Sequence, residues 1–275
     1  MARQDPMKPE IAEALLLRAT PYGETDAVVH LLTREAGLLP VLARGARKSR
    51  RRFGGALDYF CLLSAEVRPG RHGLGTLLGV DLVKSFDTVR SSVDSYLLGC
   101  HVLEVARLGS REACPAPELF ELVLASLEAL ERGAPAAGFA PVFQARALSV
   151  LGYGLALDCC PSCASELRPD GAALCAEPGT LAAGVTCAAG GGRAGRALSP
   201  GAFQTLRAAL RLPLGRLSTL RLTAAVEAEL LSPLEALLSS ALGARPKSLD
   251  ALHRGWELGG AVMIEEEKER EYPCF

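Results

Sequence analysis

Short apolar runs broken by glycine, proline and charge occupy the chain from Ile11 to about Phe86. There are five of them: AEALLLRAT, DAVVHLLTRE, GLLPVLARGA, ALDYFCLLSAEVR and LGTLLGVDLVKSF. Runs of this length and spacing are typical of a small antiparallel β-barrel. Part of the second run, AVVHLLTRE, fits a helical turn as well as a strand, and both interpretations stay open. The pattern therefore predicts a five-stranded barrel.

A different periodicity begins after Ser91, where apolar residues recur three and four positions apart. This spacing predicts amphipathic helices in SVDSYLLGCHVLEVARLG, PELFELVLASLEALERG and AGFAPVFQARALSVLGYG, and later in PGAFQTLRAALRL, TAAVEAELLSPLEALLSSALG and KSLDALHRGW. Gly109, Gly133 and Gly152 stand at or just past the ends of periodic runs, where glycine adopts a left-handed cap at least cost.

The stretch from Asp158 to about Ser199 is rich in Cys, Gly and Ala and lacks periodicity, so we expect an insertion held by something other than a core. The predicted fold class is α+β: a five-stranded antiparallel barrel, then a mostly α-helical domain with a Cys-rich insertion. The predicted boundaries are 1–88 for the barrel, 89–255 for the helical domain, 158–198 for the insertion, and 256–275 for a flexible charged tail.

Composition limits how such a chain can bind a polyanion. Hydrophobic residues make up 49% of the 275 residues, enough for a sizeable core, and the net charge is −1. Any attraction to nucleic acid must therefore come from a local concentration of cations. The N-terminal MARQDPMKPE does not resemble a signal peptide, and no apolar run approaches the roughly 20 residues of a membrane span. We expect a cytoplasmic protein.

One local concentration of cations stands out, which we call the basic segment: Arg44, Arg47, Lys48, Arg50, Arg51 and Arg52. No acidic residue lies between Glu35 and Asp58 to offset it. Six like charges so close must face water or an anion, and a polyanion would relieve their repulsion. A solvated surface loop is the alternative, but the position beside a predicted barrel favours nucleic-acid binding.

Three aromatic residues follow the basic segment closely: Phe53, Tyr59 and Phe60. Barrels that bind single strands often stack bases on such rings. Phe53 directly follows the arginines and is the predicted stacking residue. For Tyr59 and Phe60 we expect packing within a strand, because aromatic residues are scarce in this chain.

Five of the nine cysteines crowd between Cys159 and Cys187, which favours a metal over disulfides. Cys160 and Cys163 have the two-residue spacing that lets two thiolates reach one tetrahedral zinc. A second C-x-x-C is missing, because Ala188, Ala189 and Gly190 follow Cys187. Cys175 is the preferred substitute, and Cys159 is less favourable. The predicted zinc ligands are Cys160, Cys163, Cys175 and Cys187. The alternative is a degenerate knuckle that no longer binds metal. A redox C-x-x-C motif is less favoured, because the strand-to-helix surroundings of a thioredoxin motif are missing.

Catalytic motifs are missing from the sequence: it has no Walker loop, no G-x-S-x-G and no H-E-x-x-H. Four histidines are scattered, and His30 and His101 lie on apolar runs, where a structural role is expected. The motif search therefore identifies no catalytic site, and a hydrolase that uses Cys or zinc, which would need an open coordination position and a nearby base, stays an alternative.

Several blocks together resemble the RecO family of bacterial recombination mediators. They are the run ALLLRATPYGETDAVVHLLTREAG, the block VLARGARKSRRRFGGALDYF, the approach to Cys160 that includes Gly152, Tyr153 and Asp158, and ARPKSLDAL near the end. The resemblance spans residues 11 to 252. The missing fourth cysteine and the tail EEEKEREYPCF, which looks like the acidic tip of single-strand-binding protein, depart from the family pattern.

The resemblance implies an N-terminal OB-fold, a helical domain and a zinc-ribbon insertion. It also implies a non-enzymatic DNA repair protein that binds single- and double-stranded DNA, anneals complementary strands and works with RecR and single-strand-binding protein to load RecA. By motif match, the basic segment inherits DNA contact, and Cys160, Cys163 and Cys187 inherit zinc. The alternative, from another functional class, is a zinc-containing OB-fold protein that binds RNA or has a regulatory role.

Overall fold

The N-terminal apolar runs form a closed five-stranded barrel, as their pattern predicts. The computed structural model describes residues 8–46, 48, 53, 57–70, 73–161, 163–175, 184–187 and 196–257. The strands are β1 (Glu10–Tyr22), β2 (Asp26–Thr33), β3 (Gly37–Ala43), β4 (Cys61–Gly70) and β5 (Gly73–Ser85). Their order, β1-β2-β3-β5-β4, closes through a parallel β3–β5 pair, and the other pairs are antiparallel. The fold class is confirmed: an OB-fold barrel precedes a helical region.

Period-two alternation divides the strand residues between two apolar surfaces. In β2, Ala27, Val29 and Leu31 point into the barrel, where they pack with residues of the other strands. Leu32 is also fully buried, but it packs outside the barrel against the helices. The second run, which fitted a helix or a strand, is therefore a strand that packs against an apolar cluster on each face.

Seven α-helices follow among the described residues: α1 (Asp87–Arg90), α2 (Val93–Gly109), α3 (Pro117–Glu131), α4 (Ala136–Val150), α5 (Pro200–Arg211), α6 (Ala224–Leu242) and α7 (Ser248–Glu257). All six periodic stretches are helical. Ser92, Ser199 and Thr223 cap α2, α5 and α6 by accepting hydrogen bonds from backbone N–H groups in the first turn.

Two of the three predicted glycine caps are confirmed. Gly133 and Gly152 have φ of 80° and 86° just past their helices. Gly109 is instead the last helical residue, and a Cβ there would lie 2.5 Å from a methyl carbon of Leu151. Its glycine provides space for a neighbouring side chain, so the prediction of a left-handed cap at Gly109 is wrong.

The barrel is fixed to the helices by one continuous apolar cluster. Leu15 and Leu17 of β1 belong to it together with buried residues of α2, α3 and α4. Phe60, just before β4, is fully buried there, and a Cβ on Gly99 of α2 would lie 2.7 Å from its ring. The helix therefore approaches the barrel as closely as glycine permits.

A second set of contacts between the barrel and the helices forms where the β2–β3 turn meets the connection between α2 and α3. The Leu38 N–H donates to the carbonyl of Arg111 at 3.1 Å, and the Ala116 N–H donates to that of Arg34 at 3.0 Å. The Arg34 guanidinium bonds Glu121 at 2.7 Å and lies 4.1 Å from the centre of the Phe120 ring. Backbone, ion-pair and cation–π contacts thus fix the same turn.

The Cys-rich stretch contains a small sheet of β6 (Ala172–Cys175), β7 (Gly184–Cys187) and β8 (Arg196–Ala197), in the order β7-β6-β8. Leu167, Leu174 and Val185 are buried and belong to the same cluster as the helices. The expectation that this stretch lacks a core is therefore wrong for its described residues.

The closing helix α7 is held by a buried polar group. His101 Nδ1 lies 2.9 Å from the Ser248 hydroxyl, and the Ser248 N–H donates to Glu104 at 2.8 Å. Burial, and then the positive charge of His253, lower the pKa of His101 to about 3. His101 is therefore a neutral structural residue at pH 7, as expected.

The proposed tail lies largely outside the described residues, because the description ends at Glu257. The boundary between 88 and 89 stays a prediction, since the apolar cluster runs across it. Within the described ranges, every helix is too short or too polar to cross a membrane.

We predict that Gly37→Ala destabilises the fold more than Gly23→Ala. Both glycines have left-handed φ, 63° and 61°, so both substitutions carry a backbone cost of about 1 to 2 kcal/mol. A Cβ on Gly37 would also overlap the Cys114 carbonyl, whereas nothing lies within 4 Å at Gly23. Urea unfolding should show a further loss of about 1 to 3 kcal/mol for Gly37→Ala. Equal losses would mean that the β2–β3 turn is not in close contact.

We predict that His101 makes the fold sensitive to acid. Its folded pKa of about 3 lies below the ordinary 6.5, so between these values only the unfolded chain takes up the proton. Stability should therefore fall by about 1.4 kcal/mol per pH unit as pH decreases from 6 to 4. Urea unfolding of the wild type and of His101→Gln at several pH values measures this, and the variant should lack this part of the slope. Parallel slopes would contradict the assignment.

Candidate nucleic-acid interface and metal centre

The basic segment leaves the barrel at the end of β3 in a fixed turn. The Gly45 N–H donates to Asp26 at 2.8 Å, and the Lys48 N–H donates to the Gly45 carbonyl at 3.1 Å. The side chains of Arg44 and Lys48 are exposed. The other predicted contacts, Arg47, Arg50, Arg51 and Arg52, lie outside the described residues.

Phe53 marks the other end of the basic segment and corrects the stacking prediction. It is 2% exposed and packs inside the barrel with Leu16, Leu31 and Leu63. A ring in that position has no free face for a base. The sequence did not reveal this because adjacency to arginines says nothing about burial. Phe53 instead anchors the segment to the barrel core.

The remaining aromatic residues divide between packing and exposure. Phe60 is fully buried, and its ring meets that of Tyr96 edge to face with 5.3 Å between ring centres. Its predicted packing is therefore confirmed. It lies just before β4, however, in a bend where its φ is 60°. Tyr59 is partly buried against the same cluster. Tyr22, which the sequence did not single out, is 61% exposed and pairs with Asp26. It therefore stands beside the base of the basic segment.

Another cationic group lies where the barrel meets the helices. Arg18 of β1 pairs with His30 of β2, and Arg107 of α2 approaches the same imidazole. Burial, and then the charges of Arg107 and Arg18, lower the pKa of His30, while Glu112 opposes this. Among the described residues, His30 Nδ1 has no hydrogen-bond partner. Only folding reveals this group, because Arg107 is far away in sequence.

Three of the predicted metal ligands converge. The sulfur atoms of Cys160, Cys163 and Cys187 all lie within 4.8 Å of one another, and those of Cys163 and Cys187 are 3.4 Å apart. Tetrahedral zinc with bonds of about 2.3 Å places its sulfur ligands about 3.8 Å apart. This set can hold a metal ion with little rearrangement.

Local backbone bonds shape this cluster. The Cys160 N–H donates to the Ser165 carbonyl and the Ala164 N–H donates to the Cys160 carbonyl, both at 2.8 Å. Ala164 has φ of 57°, which tightens the turn after Cys163. The Cys187 N–H points at Cys160 Sγ at 3.5 Å. A backbone N–H directed at sulfur stabilises a thiolate ligand when a metal is bound.

The backbone of Cys175 is further along the hairpin than that of the residue paired with Cys187. In the β6–β7 hairpin Cys187 pairs with Ala172, whereas Cys175 pairs with Gly184. The backbone of Cys175 is therefore three residues further along, about 10 Å away at 3.3 Å per residue. Its side chain lies outside the description. Cys159 is exposed, and its backbone pairs with Glu166.

Comparisons with known proteins match the N-terminal and the C-terminal part of the chain to the same family. The family model described as Recombination protein O N terminal matches residues 7–86, and that described as Recombination protein O C terminal matches residues 90–250. The DNA repair protein RecO of Anaeromyxobacter sp. (strain K) is 43% identical over 208 residues, which cover 74% of this chain and 79% of that protein. The DNA repair protein RecO of Geobacter sulfurreducens is 36% identical over 242 residues, 84% of this chain and 97% of that protein.

We predict that Phe53→Ala lowers the free energy of unfolding by about 3 to 5 kcal/mol, because it leaves a cavity in the barrel core. Tyr22→Ala is the matched control, since it removes an exposed ring and should change stability by no more than about 0.5 kcal/mol. Chemical denaturation of both variants is the measurement. A Phe53→Ala variant as stable as the wild type would show that the ring is not packed inside the barrel.

Proposed function

The chain belongs to the RecO family of DNA repair proteins, and from this membership we propose that it binds single- and double-stranded DNA and anneals complementary strands. With RecR, it then helps to load RecA on DNA covered by single-strand-binding protein. The protein acts at the chromosomal DNA in the cytoplasm. Annealing makes and breaks no covalent bond, so the proposed activity needs no catalytic residue.

The observation that carries this proposal is the anchoring of the basic segment at both ends. Asp26 accepts a hydrogen bond from Gly45 near its start, and Phe53, the residue after its last arginine, is buried in the barrel core. The barrel thus presents the start of a run of six cations with little flanking acid. Two complementary strands repel each other through their phosphates, and cations that gather both backbones lower that repulsion.

Each group of residues has a role in this scheme. The basic segment neutralises phosphates and releases counterions. Tyr22 replaces Phe53 as the candidate for stacking on a base, which would contribute about 1 to 3 kcal/mol. Arg18 and Arg107 extend the cationic surface toward the helices, and Arg18 lies four residue pairs from Tyr22 along β1 and β2.

The proposed cofactor is zinc, held by Cys160, Cys163 and Cys187. Their three sulfur atoms suit zinc, and the exposed position of Cys163 leaves access for the ion. When bound, zinc cross-links the turn of residues 160–165 to β7. Its role is structural: it joins two short elements that are about 20 residues apart in sequence.

The proposal is tested by a strand-annealing assay. A variant with Arg47, Lys48, Arg50, Arg51 and Arg52 changed to Ala should anneal DNA at least about tenfold more slowly than the wild type, because it loses most of the phosphate contacts. Fluorescence of end-labelled complementary strands follows the reaction. RNA strands of the same sequence serve as a comparison, since an RNA-binding protein would prefer them.

A matched control separates position from total charge. Arg132, Arg216, Arg221, Lys247 and Arg254 are five exposed cations of the helical region, and changing them to Ala alters the net charge equally. This control should anneal at nearly the wild-type rate. Equal losses in both variants would refute a specific role for the basic segment.

A further inference from the structure

One hydroxyl oxygen lies close to two of the three sulfur atoms of the metal centre. The Ser165 hydroxyl lies 2.9 Å from Cys163 Sγ and 3.6 Å from Cys187 Sγ. We propose that this hydroxyl is the fourth donor, so that the centre binds zinc through three sulfur atoms and one oxygen. The inference rests on the proposed binding of zinc.

The distances agree with a tetrahedral site of this composition. With zinc–sulfur bonds of about 2.3 Å and a zinc–oxygen bond of about 2.1 Å, a sulfur and an oxygen ligand lie about 3.6 Å apart. The Ser165–Cys187 distance already has this value, and the Ser165–Cys163 distance needs to lengthen by less than about 1 Å. A rotation of exposed side chains suffices for this change.

The local backbone explains why Ser165 reaches the centre. Its carbonyl accepts the Cys160 N–H, which places residue 165 directly across the turn from the first ligand. The left-handed Ala164 reverses the chain between Cys163 and Ser165. Two ligands and the hydroxyl therefore belong to one turn of six residues.

The competing cysteines are less well placed. The backbone of Cys175 is about 10 Å along β6 from the residue that pairs with Cys187. Cys159 directly precedes the ligand Cys160, and it is exposed whereas Cys160 is buried. The position that a second C-x-x-C would supply is Gly190, which has no donor side chain.

An oxygen ligand changes the chemistry of the centre. Three thiolates and a neutral hydroxyl leave zinc with one negative charge in total, whereas four thiolates leave two. A hydroxyl is also a harder and weaker donor than a thiolate. We therefore expect weaker metal binding than in a four-cysteine ribbon, and tighter binding when the oxygen becomes sulfur.

The test is titration of the full chain with Co²⁺ and Zn²⁺ under reducing conditions, for the wild type, Ser165→Ala, Ser165→Cys and Cys175→Ser. The absorbance of Co²⁺–thiolate bands counts the sulfur ligands. Ser165→Cys should raise that absorbance by about one third, because a fourth thiolate joins three. Ser165→Ala should weaken metal binding about tenfold or more. Cys175→Ser should match the wild type.

The outcomes distinguish this inference from the proposed cofactor. A wild type that binds neither ion overturns both. A wild type that binds one ion, with Ser165→Ala unchanged or with Cys175→Ser losing thiolate absorbance, overturns the role of Ser165 alone. Circular dichroism checks that each variant folds, and Ser165→Cys keeps the test decisive if Ser165→Ala does not fold.

Discussion

The outer face of the barrel, the helices and the Cys-rich sheet share one apolar core, and the rest of the structure depends on this packing. Leu15 and Leu32 enter it from the barrel, and Leu174 and Val185 enter it from the small sheet. Burial of such side chains contributes about 1.5 to 3 kcal/mol each, and polar contacts such as that of Arg34 with Glu121 add to this packing. The interior of the barrel forms a second, separate cluster.

The apolar clusters and the basic segment have separate roles. Because the apolar clusters stabilise the fold, the exposed side chains of Arg44 and Lys48 need not contribute to stability. The two anchors of the basic segment differ in kind: Asp26 accepts a backbone hydrogen bond, and Phe53 buries a ring. The metal centre also lies between core and surface, since Cys160 is buried next to the core while Cys163 faces solvent.

Local patterns predicted the strands and helices, because period-two and period-3.6 spacing depend only on neighbouring residues. The predictions that failed needed tertiary information. Phe53 follows arginines, but its burial depends on Leu16 and Leu63 of other strands. The choice of Cys175 as the fourth ligand stays a prediction, although hairpin register puts its backbone three residues along β6 from the partner of Cys187. Ser165 belongs to no motif, and only the turn around Ala164 shows its position.

The central claim is that cations on the barrel bind DNA mainly by neutralising phosphate, and the salt dependence of affinity tests it most directly. For single-stranded DNA, each neutralised phosphate contributes about −0.7 to the slope of log affinity against log salt concentration. Six engaged cations predict a slope of about −4 for the wild type. A slope near zero would contradict the account, because it would show that binding releases no counterions.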